Sequence, residues 1–328
     1  MKTTNIFQKA GDTTPGLTGK KPAAVKSPLQ RHWLKLANLL VAISLLVTST
    51  ILPAKESESV DFVLLQEQAL LANAAYQTED QARALAAANN YRLDFYQTIA
   101  NLQIAFFLAT NEADKTQVIS IRGTSNIENA MVDVYLQLVE DRKTGLRLHH
   151  GFSLAARKIY AKLKPLLKAG YKINTTGHSL GGAVALILVI YLDADRFDIG
   201  QVTTFGQPKV TNAAGAAKIQ HLNIIRVVTQ LDLVPLVPLL DPLDINNLDI
   251  YWHAGIEVVL LTDNEYALLK GMDSMLRASR FTQKPLSEEN LSNHQMTLYL
   301  EMLDARLTSA QLVPYQNNFN LFNLFGGD

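Results

Sequence analysis

A serine flanked by glycines is the residue of this chain best placed for covalent chemistry. Residues 171–184 read YKINTTGHSLGGAV, a β-prone run followed by Gly177-His178-Ser179-Leu180-Gly181 and a small-residue helix start. A strand that turns sharply into a helix strains its central residue, so the residues two positions away must be small. Gly177 and Gly181 meet that need, and the helix dipole favours negative charge near Ser179. We therefore predict a nucleophile elbow; the alternative is a glycine-rich turn with an incidental serine.

A serine hydroxyl is a weak nucleophile at neutral pH and needs a histidine base oriented by an acid. Where a serine is presented in this way, the acid and the histidine follow it in that order, after later strands. Asp232 comes directly after the β-prone run NIIRVVT and is the favoured acid. The weaker candidates lie further into the same loop, at Asp241, Asp244 and Asp249.

Three histidines follow the serine and compete for the role of base. His221 precedes Asp232 and is out of order, while His253 leads into a strand in YWHAGIE. His294 lies in a polar loop directly before the last predicted helix, so it can approach Ser179 from above a sheet. We predict His294 as the base, with His253 as the alternative. His178, inside the elbow, is expected to pack or to hydrogen-bond away from the serine.

The oxyanion of an acyl-transfer intermediate needs hydrogen-bond donors. The backbone N–H of Leu180, directly after the nucleophile, is one expected donor. The other is expected from Thr124, which follows Gly123 at the end of an earlier strand and offers both an N–H and a hydroxyl. We expect no metal and no organic cofactor: the chain has no cysteine, and His149 and His150 lack a ligand pattern.

Helices and strands alternate along the body, which predicts an α/β fold with a mostly parallel central sheet covered by helices on both faces. The expected strands are residues 98–110, 117–121, 201–205, 223–229 and 256–262, besides the strand before the elbow. The expected helices are residues 57–76, 79–89, 126–140, 153–168, 182–192, 213–221, 264–275 and 296–306. The helix at 126–140 is apolar on more than one side, so it is either an ordinary buried helix or a lid.

The amino-terminal segment differs from the body. Residues 1–35 carry seven Lys and Arg against one Asp and are expected to be disordered, and residues 36–54 carry no charge. Such a run is long enough for a bilayer core, and its basic flank predicts a cytoplasmic amino terminus and an extracytoplasmic body. We favour an uncleaved signal anchor; the alternatives are a cleaved signal peptide with secretion and a buried helix. The predicted domains are thus 1–35, 36–54, a catalytic body at 56–310 and a tail at 311–328.

The formal net charge of the whole chain is zero, so the body is acidic once the basic amino terminus is set aside. An acidic body without a basic stripe argues against nucleic acid as a partner. No protein partner is predicted. The expected partners are a lipid ester and a membrane or lipid interface.

Taken together, these pieces resemble the class 3 (fungal-type) triacylglycerol lipases of the α/β-hydrolase superfamily. The resemblance runs in order over about residues 60–306, through ISIRGTSNIENAMVDV, HHGF, TTGHSLGGAVA, TFGQPKV, RVVTQLDLVPLVP, YWHAGIEV and NHQMTLYLEML. It implies Ser179, Asp232 and His294 as the triad, and Thr124 with Leu180 as the oxyanion hole. It also implies that the helix after Thr124 is the lid and that His253 is a structural residue near the site. The chain departs from the family at Ile121 and Ala130, where aromatic residues are common, and lacks the fungal disulfides.

The sequence therefore predicts a hydrolase: a serine esterase of the lipase type that acts on lipid carboxylic esters. A phospholipase A1 or a short-chain carboxylesterase is the alternative within the same chemistry. A catalytically inactive, membrane-anchored binding module is the remote alternative from another class.

Overall fold

The computed structural model of the chain describes residues 60–124, 137–238, 250–279 and 292–315. The predicted anchor at 36–54, most of the predicted lid and the three alternative aspartates lie outside these ranges. Within them, no helix is both long and apolar enough to cross a bilayer.

A nine-stranded sheet forms the centre, in the order β1-β2-β3-β6-β7-β9-β11-β12-β13. Its middle strands β3, β6, β7, β9 and β11 run parallel, and the prediction of a mostly parallel sheet is confirmed. The strands are β1 (Arg92–Ile99), β2 (Ile104–Asn111), β3 (Thr116–Ile121), β6 (Lys172–His178), β7 (Ile199–Phe205), β9 (Asn223–Thr229), β11 (Ile256–Leu260), β12 (Glu265–Lys270) and β13 (Gln311–Leu312).

A second, four-stranded sheet was not predicted, because its strands are only two or three residues long. It has the order β10-β8-β5-β4. Its members are β4 (Leu138–Glu140), β5 (Arg147–His149), β8 (Thr211–Asn212) and β10 (Tyr251–Trp252). The prediction of a helix through Glu140 is wrong at that end, since residues 138–140 pair with β5 as a strand.

Helices cover the central sheet on both faces, because the buried side chains of β2 pack alternately into two different apolar clusters. Phe106 and Leu108 pack in one apolar cluster, whereas Phe107 and Ala109 pack in another. Because successive side chains of a strand point to opposite faces, the two clusters are the two sides of the sheet. The helices are α1 (Phe62–Ala74), α2 (Glu79–Ala88), α3 (His150–Leu163), α4 (Leu180–Ala194), α5 (Ala213–Lys218), α6 (Met272–Ser279) and α7 (Met296–Asp304).

Helix α4, which begins directly after Ser179, is the centre of the larger cluster. Every residue from Gly181 to Leu192 is buried, so the helix has no solvent-facing stripe over that length. Helix α1 lies against β3 and β6 and packs against α7, the last helix. Hydroxyl groups fix α1 in place: Ser120 donates to the carbonyl of Leu71 and Thr176 to that of Gln68.

Two predicted elements are wrong. Residues 98–110 are not one strand: β1 ends at Ile99, a 3₁₀ turn follows at Ala100–Leu102, and Gln103 adopts φ 52° before β2. Residues 264–275 are not one helix either. Residues 265–270 form β12, antiparallel to β11, and the chain turns at Asp263 (φ 53°) and at Gly271 (φ 52°) before α6 starts.

Candidate active site

The strand-to-helix turn at Ser179 has the geometry that the sequence predicts. Ser179 follows β6 directly and adopts φ 59° and ψ −132°, a strained conformation for a residue with a side chain. Its N–H donates to the carbonyl of Phe205 on β7 at 2.8 Å. Its hydroxyl does not cap α4, although it occupies the N-cap position. The side chain is therefore not committed to stabilising the helix.

The two glycines of the elbow are required because backbone lies against them. A Cβ at Gly181 would be 2.1 Å from the carbonyl oxygen of Ile121, the last residue of β3. A Cβ at Gly177 would be 2.7 Å from that same oxygen and from the backbone of Gly181. No Cβ tolerates such distances, so the close approach of β3, β6 and α4 at the serine depends on glycine at both positions.

Asp232 and His294 lie together at the carboxyl end of the sheet. Nδ1 of His294 is 2.7 Å from Oδ2 of Asp232, and both side chains are almost wholly buried, with 1% and 0% exposure. The other oxygen of Asp232, Oδ1, accepts the N–H of Val234 at 2.9 Å. Since an ionised carboxylate only accepts, Nδ1 of His294 carries the proton in this pair. Within the described residues, Nε2 of His294 has no hydrogen-bond partner.

Gly206 places the histidine beside the serine. Gly206 follows Phe205, whose carbonyl binds Ser179, and it adopts φ 57°. A Cβ here would lie 2.7 Å from Cε1 of His294 and 2.8 Å from Oδ2 of Asp232. The imidazole of His294 and the carboxylate of Asp232 thus pack directly on the backbone of Gly206. This residue follows Phe205, whose carbonyl accepts the N–H of Ser179.

The predicted oxyanion donors lie on either side of Ser179. Leu180 is the first residue of α4, where the N–H groups of a helix have no partner within the helix. Thr124 follows Gly123 after β3, and its hydroxyl donates to the side-chain oxygen of Gln103 at 3.2 Å. A Cβ on Gly123 would be 3.0 Å from Cβ of Ser179, so this loop passes directly over the nucleophile.

The other histidines are held in structural roles. Nε2 of His253 donates to the carbonyl of Pro235 at 2.6 Å, and burial lowers its pKa well below the usual value. His221 is exposed and pairs with Asp193. His149 accepts the N–H of Phe152 at the start of α3, and burial lowers its pKa to about 4.

Sequence reasoning missed Tyr299, which contacts the acid beside His294. Its hydroxyl donates to Oδ2 of Asp232 at 2.5 Å, and burial together with this carboxylate raises its pKa well above the usual value. Tyr299 lies on α7, five residues beyond His294. A tyrosine on the apolar face of a helix carries no sequence signal of such a contact.

Lys209 is a second missed residue, and it holds the loop that follows the acid. Its Nζ donates to the carbonyls of Leu236 and Pro238, at 2.5 and 2.8 Å, and its N–H donates to the carbonyl of Val237 at 2.9 Å. The side chain is 1% exposed. Burial, followed by the charges of the neighbouring Arg277 and Arg226, lowers the pKa of Lys209 to about 7 against the opposing effect of Glu257.

Comparison with known proteins agrees with this arrangement. The central sheet and the elbow are those of an α/β-hydrolase, and a family model described as Lipase (class 3) matches residues 118–241. A crystal structure of a lipase from Rhizopus microsporus var. chinensis superposes with a TM-score of 0.52 at 25% identity, covering 63% of this chain and 76% of that one. The resemblance to class 3 lipases is therefore confirmed. The matched segment contains Ser179 and Asp232 and ends before His294.

Two of the curated relatives are named as different lipid hydrolases. Secreted mono- and diacylglycerol lipase 1 of Fusarium solani is 35% identical over 116 residues, which are 33% of this chain and 34% of that protein. Phospholipase A1 PLIP2, chloroplastic, of Arabidopsis thaliana is 26% identical over 116 residues, 32% of this chain and 16% of that protein. The chain spans about a third to a half of the length of the curated fungal lipases that it matches.

Proposed function

We propose that the protein is a serine hydrolase that cleaves carboxylic ester bonds of lipids through an acyl-enzyme. The observation that carries the proposal is the buried pair of His294 and Asp232, packed beside the strained Ser179 with Nε2 of His294 unpartnered among the described residues. A base held in this way through its other nitrogen is what a serine nucleophile requires.

In the proposed mechanism, Nε2 of His294 accepts the hydroxyl proton of Ser179 while Oγ attacks the ester carbonyl carbon. Asp232 stabilises the imidazolium that forms. The N–H groups of Leu180 and Thr124 stabilise the oxyanion. The ester C–O bond then breaks, and His294 gives its proton to the departing alcohol. Water, deprotonated by His294, attacks the acyl-enzyme, releases the carboxylic acid and restores Ser179. These steps use no metal and no organic cofactor.

A triacylglycerol-lipase-like activity is the first candidate substrate class. It is supported by the class 3 lipase match and by the glyceride-lipase name of the Fusarium relative. A phospholipase A1 is the second candidate, supported by the name of the Arabidopsis relative. Esters of graded chain length, offered with and without an interface, separate these lipid enzymes from a short-chain carboxylesterase. Loss of activity on long chains would exclude the lipase assignment.

For location, we propose that residues 36–54 anchor the protein in a membrane with the catalytic body extracytoplasmic, at a lipid interface. Secretion after cleavage of the same segment is the alternative, and the Fusarium relative is named a secreted protein. The uncharged run and its basic flank support both the membrane anchor and the cleaved signal peptide. The mass of the mature protein distinguishes them, because cleavage near residue 54 removes about a sixth of the chain.

Labelling with a fluorophosphonate probe tests the proposed chemistry most directly, since the probe reacts with activated serines. We expect the intact chain to be labelled and Ser179→Ala not to be labelled. Labelling that persists in Ser179→Ala would place the nucleophile elsewhere. An intact, folded chain that takes up no label would support the inactive binding module instead.

A further inference from the structure

A path of hydrogen bonds and close contacts joins the two loops that flank the serine, and it passes through Tyr76 and His178. The hydroxyl of Tyr76 is 2.8 Å from Nδ1 of His178, and Nε2 of His178 is 2.7 Å from the carbonyl oxygen of His294. A Cβ on Gly123 would lie 3.1 Å from the hydroxyl oxygen of Tyr76, so the Gly123–Thr124 loop packs against that hydroxyl. Tyr76 comes from the turn after α1 and lies outside the segment 118–241 that matches the lipase family.

The direction of both hydrogen bonds in this path is fixed by its end at His294. A backbone carbonyl only accepts. Nε2 of His178 therefore carries the proton that binds the carbonyl of His294, and Nδ1 of the neutral ring accepts the hydroxyl proton of Tyr76. Burial, and secondarily the nearby His294, lowers the pKa of His178 well below its usual value, so the ring stays neutral and the path keeps its direction.

The path leaves little freedom for either loop. The rings of His178 and His294 lie 4.5 Å apart at 33°, so the base is in contact with His178 through its ring as well as its carbonyl. On the other side, a Cβ on Gly123 would be 2.8 Å from the carbonyl oxygen of His178 and 3.1 Å from the hydroxyl of Tyr76. The loop that supplies the proposed oxyanion donors and the loop that supplies the proposed base are thus both positioned against the pair of His178 and Tyr76.

We propose that Tyr76 and His178 are positioning residues that set the distance of the Gly123–Thr124 loop and of His294 from Ser179. The inference rests on the proposed function, because it assigns these two residues a part in the same reaction. Neither residue reacts with the substrate. Their effect is confined to the geometry in which the oxyanion forms and the proton moves, which are features of the transition state.

The first experiment compares Tyr76→Phe with Tyr96→Phe. Tyr96, on β1, donates its hydroxyl proton to the carbonyl of Gln77 at 2.9 Å. The control therefore removes a hydroxyl that contacts the same turn as Tyr76, and it leaves the path through His178 intact. With a water-soluble p-nitrophenyl ester, we expect Tyr76→Phe to lower kcat by about 10- to 100-fold and to change KM less than about threefold. Tyr96→Phe should keep kcat within about twofold of the unaltered chain.

Two variants of His178 extend the comparison. A glutamine can place an amide N–H near the position of Nε2, so His178→Gln retains a donor for the carbonyl of His294, whereas His178→Ala retains none. We expect His178→Gln to keep at least about fivefold more kcat than His178→Ala, with thermal unfolding recorded for both. Equal kcat values in the two, or a Tyr76→Phe variant that matches Tyr96→Phe, would overturn the proposal.

A readout that does not need turnover separates this proposal from the proposed function. Tyr76→Phe removes the hydroxyl that packs against Gly123, so hydrogen exchange of the Gly123 amide, followed by NMR, should speed up at least about tenfold relative to Tyr96→Phe. Unchanged exchange overturns the positioning role even in an active enzyme. Faster exchange in a chain that neither hydrolyses esters nor takes up the fluorophosphonate probe refutes the hydrolase and, with it, any catalytic part for the path.

Discussion

The hydroxyl of Tyr299 and the imidazole of His294 bind the same oxygen of Asp232, at 2.5 and 2.7 Å. Two donors on one carboxylate oxygen, with the N–H of Val234 on the other, satisfy the acid without any exposure to water. The consequence is that α7 supplies the orientation of the acid, while the loop before that helix supplies the base.

We predict that Tyr299→Phe lowers kcat about tenfold, because the acid loses one of the bonds that fix it against His294. The measurement is kcat on a soluble ester. Tyr191→Phe is the matched control, since Tyr191 is also a buried tyrosine, donating to the buried Asp141 at 2.8 Å on another part of the structure. Equal losses in both variants would show that the effect is on stability alone.

We predict that Ser179→Ala lowers ester turnover by about 10⁴-fold or more, since the nucleophile is lost while the fold keeps its elbow glycines. The matched control is Ser153→Ala, which removes a buried hydroxyl that donates to the carbonyl of His150 on α3. The control should stay within about threefold of the unaltered chain. Substantial activity in purified Ser179→Ala would contradict the proposed mechanism.

We predict that the turnover numbers of His294→Ala and His253→Ala differ by orders of magnitude. Loss of the base should lower turnover by about 10²- to 10⁴-fold. His253→Ala removes the bond to the carbonyl of Pro235, in the loop after the acid, and should mainly lower the unfolding temperature. The comparison is kcat against thermal unfolding for each variant; a larger kcat loss in His253→Ala would reverse the assignment of the base.

We predict that Gly206→Ala lowers kcat at least about 100-fold, because its Cβ would occupy the space of the His294 ring and of Oδ2 of Asp232. Gly145→Ala separates this clash from backbone strain. Gly145 also has a positive φ, 65°, but nothing lies within 4 Å of the position that a Cβ would occupy there. Both variants should be destabilised, and only Gly206→Ala should lose turnover in the protein that remains folded.

We predict that Lys209 makes stability rise with pH above neutrality. Its pKa is about 7 in the folded chain, against an unperturbed 10.5. Between these values the unfolded chain binds the extra proton, so the free energy of unfolding increases with pH there and is flat below the window. From pH 7.5 to 9 this group adds about 2 kcal/mol. Lys209→Met should lack the rise in denaturant titrations; an identical pH slope in both proteins would contradict the lowered pKa.

The elements nearest the serine could be predicted because their chemistry is local. Gly177 and Gly181 indicate a turn that only glycine permits. The order of residues along the chain then selects Asp232 and His294 as acid and base. Their catalytic roles stay predictions. Contacts made across the fold left no such signal. Tyr76, Lys209 and Tyr299 are ordinary in sequence, and each acquires its role from an element far away in the chain.

The errors in secondary structure have a similar physical cause. Gln103 and Asp263 adopt left-handed backbone conformations although neither is glycine. No glycine therefore marks the turn before β2 or the turn before β12 in the sequence. The pattern of residues 98–110 therefore predicts one strand where the structure has β1, a turn and β2. The segment 265–270, EYALLK, favours a helix in isolation. It forms a strand because it pairs with β11.

The docking of α7 against α1, the last helix against the first, has a consequence for the order of synthesis. The serine and its elbow leave the ribosome more than a hundred residues before His294 and Tyr299. A nascent chain that stops short of residue 294 holds the proposed nucleophile with neither its base nor the tyrosine that orients its acid. On the proposed mechanism, hydrolysis therefore requires α7 to be synthesised and to pack against α1.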